Sequence, residues 1–185
     1  MRKATLAMAF AAALLASGCA TQRPGGVDEF YAGNYQAARS IYEANLAAEP
    51  NSRALYHLRL GTLALDEGRL EEAREHFIDA TAIMEDFKAE GEFKAVIGQE
   101  ATKEYKGDPY EQMMALWYLG LLDYMLGDFT KALPDFKSAA LADAGTTEER
   151  YTSDAASVFL MMGKTYDAIG NKMKAEQEYQ DAANV

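Results

Sequence analysis

The feature that most constrains this chain is a five-point pattern that occurs four times: a glycine, a second glycine seven residues on, an alanine at twelve, an aromatic at sixteen and an alanine at nineteen. The copies are Gly26, Gly33, Ala38, Tyr42 and Asn45; Gly61, Gly68, Ala73, Phe77 and Ala80; Gly120, Gly127, Ala132, Phe136 and Ala139; and Gly163, Gly170, Ala175, Tyr179 and Ala182. Asn45 is the one departure in twenty positions. Self-similarity of this kind marks a chain that stacks one supersecondary unit on the next. Each unit reads as two antiparallel helices. The first glycine lets its helix lie close against a neighbour, the second ends that helix where a positive φ is needed, and the alanines leave room for the aromatic. Helical periodicity agrees: Leu55, Leu58 and Thr62 recur at three- and four-residue spacing, as do Leu116, Tyr118, Leu119 and Leu122.

This spacing resembles the tetratricopeptide repeat (TPR), a helix-turn-helix unit of about 34 residues. The resemblance covers most of residues 29–185 and implies an all-α, right-handed superhelix of antiparallel helix pairs. Three pairs are complete. The leading one is partial, because Thr21–Gly26 (TQRPGG) occupies the place of its first helix. Pro50, eight residues past Tyr42, falls where the family closes a unit with proline. The leading glycines are 35, 59 and 43 residues apart, so two junctions are longer than one unit. The shorter excess, around Leu141 to Arg150, carries Thr146 and Glu149 at capping-box spacing and predicts a long helix running towards Ile169. Pro134 falls inside the second helix of the third unit, where it removes the bond to Thr130 and predicts a kink or a tight first turn.

The longer insertion spans residues 88–112. It mixes Phe93, Val96, Ile97, Tyr105 and Tyr110 with charges, which is not the composition of a solvated loop. Asp108-Pro109-Tyr110-Glu111 reads as a helix start: an N-cap acid, a proline at the first helical position and a capping-box glutamate. The stretch Glu100 to Glu111 is also similar to a Glu-x-Thr-x-x-Tyr-x-Gly-x-x-Tyr-Glu string of bacterial lipoproteins with helical repeats. The insertion either fixes the angle between two repeat pairs or folds Phe93 to Tyr105 over the concave face as a gate.

Residues 1–18 read as an address. Arg2 and Lys3 precede the apolar run Ala4 to Leu15, which is too short to span a bilayer, and small residues lead to Cys19. Ala16-Ser17-Gly18-Cys19 resembles the lipobox of bacterial lipoproteins, with alanine where leucine is commoner. The resemblance implies cleavage before Cys19, acylation of that cysteine with palmitate-type chains, and residues 19–28 as a lipidated tether. Ala20, in place of an aspartate, implies the outer membrane, with the body facing the periplasm.

Composition narrows the function further. A formal charge of −11 becomes −13 once residues 1–18 are removed, which disfavours nucleic acid and anionic lipid surfaces. One cysteine excludes an internal disulfide framework and a thiolate cluster. The sequence holds no phosphate-binding glycine loop, nucleophile elbow or His-Glu-x-x-His. His57 and His76, on separate helices, read as packing or surface residues, so no metal, cofactor or catalytic residue is assigned and the chain is not read as an enzyme. Acidic pairs such as Glu71-Glu72 read as solvated faces.

What remains is the concave face of the first helices. The TPR resemblance carries groove-lining roles to Leu55, Leu58, Thr62, Leu65 and Asp66, to Met114, Trp117, Leu121, Tyr124 and Met125, and to Ser157, Leu160, Lys164 and Asp167. The middle set is apolar and adaptable, which suits a recognition patch, or else is core covered by the insertion. The expected function is a membrane-anchored scaffold or adaptor whose groove takes a segment of another cell-envelope protein. The alternatives are a carrier of a small apolar ligand or lipid for a periplasmic transport system, and a structural homo-oligomer.

Overall fold

The computed structural model describes residues 25–94, 105, 107–144 and 155–185. The chain runs through α1 (Val27–Tyr31), α2 (Tyr35–Ala48), a 3-10 turn (Pro50–Ser52), α3 (Arg53–Asp66), α4 (Leu70–Lys94), α5 (Pro109–Met125), α6 (Phe129–Ala144), α7 (Ala156–Ala168) and α8 (Lys172–Asn184), with no strand among the described residues. Helices pair as α3/α4, α5/α6 and α7/α8, and successive pairs stack through α4/α5 and α6/α7.

The second glycine of each copy makes the turn. Gly33, Gly68, Gly127 and Gly170 have φ of +77°, +74°, +80° and +81°. A Cβ there would meet nothing within 4 Å, so the demand for glycine is conformational. The bonding is the same each time. The N–H groups of Asn34, Arg69, Asp128 and Asn171 each donate to the carbonyl five residues back, at 2.8 Å, and satisfy carbonyls that the helix end would orphan.

The first glycine works by space instead. A Cβ on Gly61 would lie 2.9 Å from the Phe77 ring, and one on Gly120 would lie 2.8 Å from the Phe136 ring. At Gly163 the Tyr179 ring is closer still. Ala73, Ala80, Ala132 and Ala139 are fully buried, so Phe77 and Phe136 each lie in a slot walled by small residues. The leading unit departs from this scheme. Gly26 has φ +92° and precedes the single-turn α1, and it meets the Tyr42 ring from a turn, its carbonyl accepting from the Tyr42 hydroxyl at 3.1 Å.

Three apolar clusters fill the stack: one around Tyr42, Tyr56, Leu60 and Leu63, one around Phe77, Met84, Leu119 and Leu122, and one around Phe136, Val158, Met161 and Met162. Arg39 of α2 joins the first two units, its guanidinium reaching Glu72 at 2.5 Å and Glu67 at 2.8 Å.

Part of the 88–112 insertion is helix, because α4 continues to Lys94. Val96, Ile97, the Phe93 side chain and most of the expected gate lie outside the described residues. α5 begins at Pro109 with both capping-box bonds in place at 2.9 Å, Asp108 to the Glu111 N–H and Glu111 to the Asp108 N–H. Between them Tyr105 donates its N–H to the Asn51 carbonyl at 2.6 Å and packs on the central cluster.

The two remaining helix expectations resolve differently. α6 runs through Pro134, an exposed residue one turn into the helix, so one carbonyl near the N-terminus loses its donor. The long helix from Thr146 is corrected: α7 starts at Ala156, and the Thr146–Glu149 box lies outside the described residues. At its start the Asp143 carboxylate of α6 accepts the Ala155 N–H at 3.4 Å. Residues 1–24, including Cys19, also lie outside the described residues. Among the described residues no helix is long and apolar enough to cross a membrane.

Candidate binding face

The first helices α3, α5 and α7 carry the predicted groove. Leu58 and Leu65 are half-buried against the Phe77–Leu122 cluster, and Met114, Trp117, Leu121 and Tyr124 are half-buried against the Phe136–Met162 cluster. Met125, Leu160 and Lys164 are exposed. The apolar stripe of the middle unit therefore has two uses. Its inner edges hold α5 to α6 and α7, and its outer edges face solvent. Trp117 shows the division: its ring meets Tyr118 edge-on at 5.2 Å, and its indole N–H reaches the Ser157 carbonyl of α7 at 3.4 Å. Tyr118 in turn stacks on Phe77 at 5.3 Å.

On α3, Leu55, Leu58 and Thr62 line a cavity of about 290 Å³ together with residues that the groove pattern did not include, among them Phe30, Tyr31, Tyr42, Arg59, Tyr105 and Glu111. Arg59 was legible: it is four residues past Leu55 and three before Thr62, on the same helical face. Tyr105 and Phe30 were not, because they arrive from the insertion and from α1. Met125, Leu160 and Lys164 line neither this cavity nor a second one of about 210 Å³ bounded by Thr81, Met84, Glu85, Gln112, Leu116 and Ser138.

Two titratable clusters also form only in three dimensions. His57 of α3 and His76 of α4 bring their Nδ1 atoms to 3.2 Å, so one ring donates and the other accepts. Burial lowers both pKa values, His57 against the pull of Asp79 and His76 against that of Glu72 and Asp79. At the next junction Arg74 of α4 donates to Asp123 of α5, which is 2% exposed, and Asp135 of α6 lies against the same carboxylate. Burial, then the hydrogen bond and the charge of Asp123, push the Asp135 pKa up to about 7. Both clusters join adjacent helices. Among the described residues no group of three or more His, Cys, Asp or Glu could hold a metal ion.

Stacked helix pairs with this turn match known architecture. Residues 25–83 match the tetratricopeptide repeat family model. Among solved structures, the MSR-1 MamA structure "MamA MSR-1 C2" is 14% identical, covering 86% of this chain and 71% of its own, with a TM-score of 0.58. A Podosopora anserina protein described as a kinesin light chain with nearly identical TPR-like repeats is 15% identical, covering 86% and 70%, with a TM-score of 0.57. The fold is the TPR fold. The family match ends within α4, yet the same glycine turn recurs beyond it at Gly127 and Gly170, and the glycine–aromatic contact at Gly120 and Gly163. No curated protein sequence matches the chain.

Proposed function

We propose that this TPR protein is a non-catalytic adaptor of the bacterial envelope, anchored by acyl chains on Cys19 to the outer membrane and facing the periplasm. Its α3–α5–α7 face holds a segment of another envelope protein. The observation that carries this reading is the row of half-buried apolar side chains at Leu58, Leu65, Met114, Trp117, Leu121 and Tyr124, continued by exposed Met125 and Leu160. Solvent-facing edges of an ordered apolar row supply contact area at small entropic cost, and methionine adapts to varied shapes. Repeat stacking makes such a row continuous across units.

A photoreactive side chain at Met125 tests the face in living cells. It should give a discrete crosslinked envelope protein, while the same group at Met173 on α8, 79% exposed, should not. Equal products from both positions would refute the assignment of the face. The anchor is tested separately: labelled palmitate should enter the wild-type chain and not Cys19→Ser, and label in the variant would refute it.

A further inference from the structure

The α3 cavity contains a guanidinium with a buried donor nitrogen that no acceptor takes. Arg59 rests beside the rings of Tyr42 and Tyr56, with its guanidinium carbon 5.7 Å and 5.3 Å from the centroids. Those contacts hold the plane of the group but offer no acceptor to its N–H donors. Among the described residues Arg59 Nη1 is buried without a hydrogen-bond partner; Tyr105 Oη, buried in the same cavity, makes no close hydrogen bond but faces the carboxylate of Glu111. A buried donor without an acceptor costs free energy, and a guanidinium more than a hydroxyl, so Arg59 calls for an acceptor that the Tyr105 hydroxyl beside it can share.

The chemistry of the walls narrows what that acceptor is. Arg presents a planar fork that matches a carboxylate. Glu111 also lines the cavity, with one oxygen taken by the Asp108 N–H, so the site's formal charges balance and an entering dianion such as a phosphate monoester meets repulsion. A monoanion fits better. Phe30, Tyr31, Leu55 and Leu58 give the rest of the wall an apolar character. The volume of about 290 Å³ is near the low end of small-ligand pockets, and about twice that of a cavity of roughly 150 Å³ that takes up benzene.

We propose that this cavity binds a small free organic acid, its carboxylate on Arg59 Nη1 and Tyr105 Oη and its alkyl or aryl body against Phe30, Leu55 and Leu58. This site goes beyond the adaptor reading, and crosslinking at Met125 can fail without touching it. Octanoate and 3-phenylpropionate are the probes, titrated by calorimetry into the full chain. Each should bind the wild type, while 3-phenylpropanamide, the same body without the charge, should bind at least tenfold more weakly. Arg59→Met should weaken both acids at least tenfold. Without ligand it should melt no lower than the wild type, because an unpaired buried cation has been removed. Arg59→Lys, which keeps the charge and loses the fork, gives a second reading if the methionine variant does not fold, and should weaken the acids several-fold. The comparison of acid with amide needs no variant at all. Equal binding of acid and amide, undiminished binding to either variant, or no binding of either acid would overturn the proposal. So would selective binding of a peptide ending in free phenylalanine over its C-terminal amide with no binding of the free acids, which would assign the site to a chain terminus.

Discussion

Alanine at Gly120 sets two effects of opposite sign against each other. In a helix interior alanine is favoured over glycine by about 1 kcal/mol, so with open space around it the substitution would stabilise α5. The space is not open. The added Cβ would lie 2.8 Å, 2.9 Å and 3.1 Å from three atoms of the Phe136 ring, well inside the roughly 3.5 Å at which carbons rest. Phe136 is fully buried between Ala132 and Ala139, which are also fully buried, so the ring has no free direction to move. Either α5 and α6 separate or the ring leaves its rotamer, at about 1–3 kcal/mol. The expected net is a loss of about 1–2 kcal/mol, or several degrees in Tm for a domain of this size. Denaturant unfolding and thermal melts followed by circular dichroism measure it. Phe136→Leu leaves room for the methyl, so the double variant should be more stable than the two single losses add up to, by about 1 kcal/mol. A stabilised Gly120→Ala, or strict additivity in the double variant, would show that close approach does not select this glycine.

Three further outcomes follow from the same structure. Asp135 has its carboxyl pKa raised from 3.8 to about 7, so the unfolded chain gives up this proton first and stability falls as pH rises from about 4 to about 7. Asp135→Asn should flatten that slope and gain on the order of 1–2 kcal/mol at pH 8, a figure reduced for the partial exposure of the group; equal pH profiles would refute it. The histidines act in the opposite sense: with both pKa values lowered, the unfolded chain takes up protons that the folded one resists, and their contribution is lost as pH falls below about 6.5. Imidazole NMR titrations should place both midpoints below that of a free histidine, and one above it would contradict the paired geometry. Asp108→Ala removes the acceptor of the Glu111 N–H and should cost about 1 kcal/mol by chemical denaturation, whereas no loss would mean that the proline alone sets the start of α5.

Much of the fold was written in local residue choices. Four glycines in the left-handed region are readable because that conformation excludes nearly every other side chain, and the alternation of glycine, alanine and aromatic is readable because a close helix crossing needs matched volumes. The start of α5 was equally legible, since Asp108, Pro109 and Glu111 act within one turn of chain. The candidate binding face was legible only in part. The repeat resemblance placed Leu58, Leu65, Met114, Trp117, Leu121 and Tyr124 on first helices, but how much of each side chain the next unit covers depends on the stacking of the pairs.

The sequence by itself determined the repeat, its turns and the helix pairing, because each rests on backbone conformations and side-chain volumes a few residues apart. Tertiary structure alone decided that His57 meets His76, that Asp135 lies against the carboxylate held by Arg74, that Asp143 reaches the N–H of Ala155, and that Arg59 and Tyr105 share one cavity. These partners are 12 to 61 residues apart across helix crossings. A crossing angle or an insertion length moves a side chain by several ångströms, and a hydrogen bond tolerates a few tenths of one.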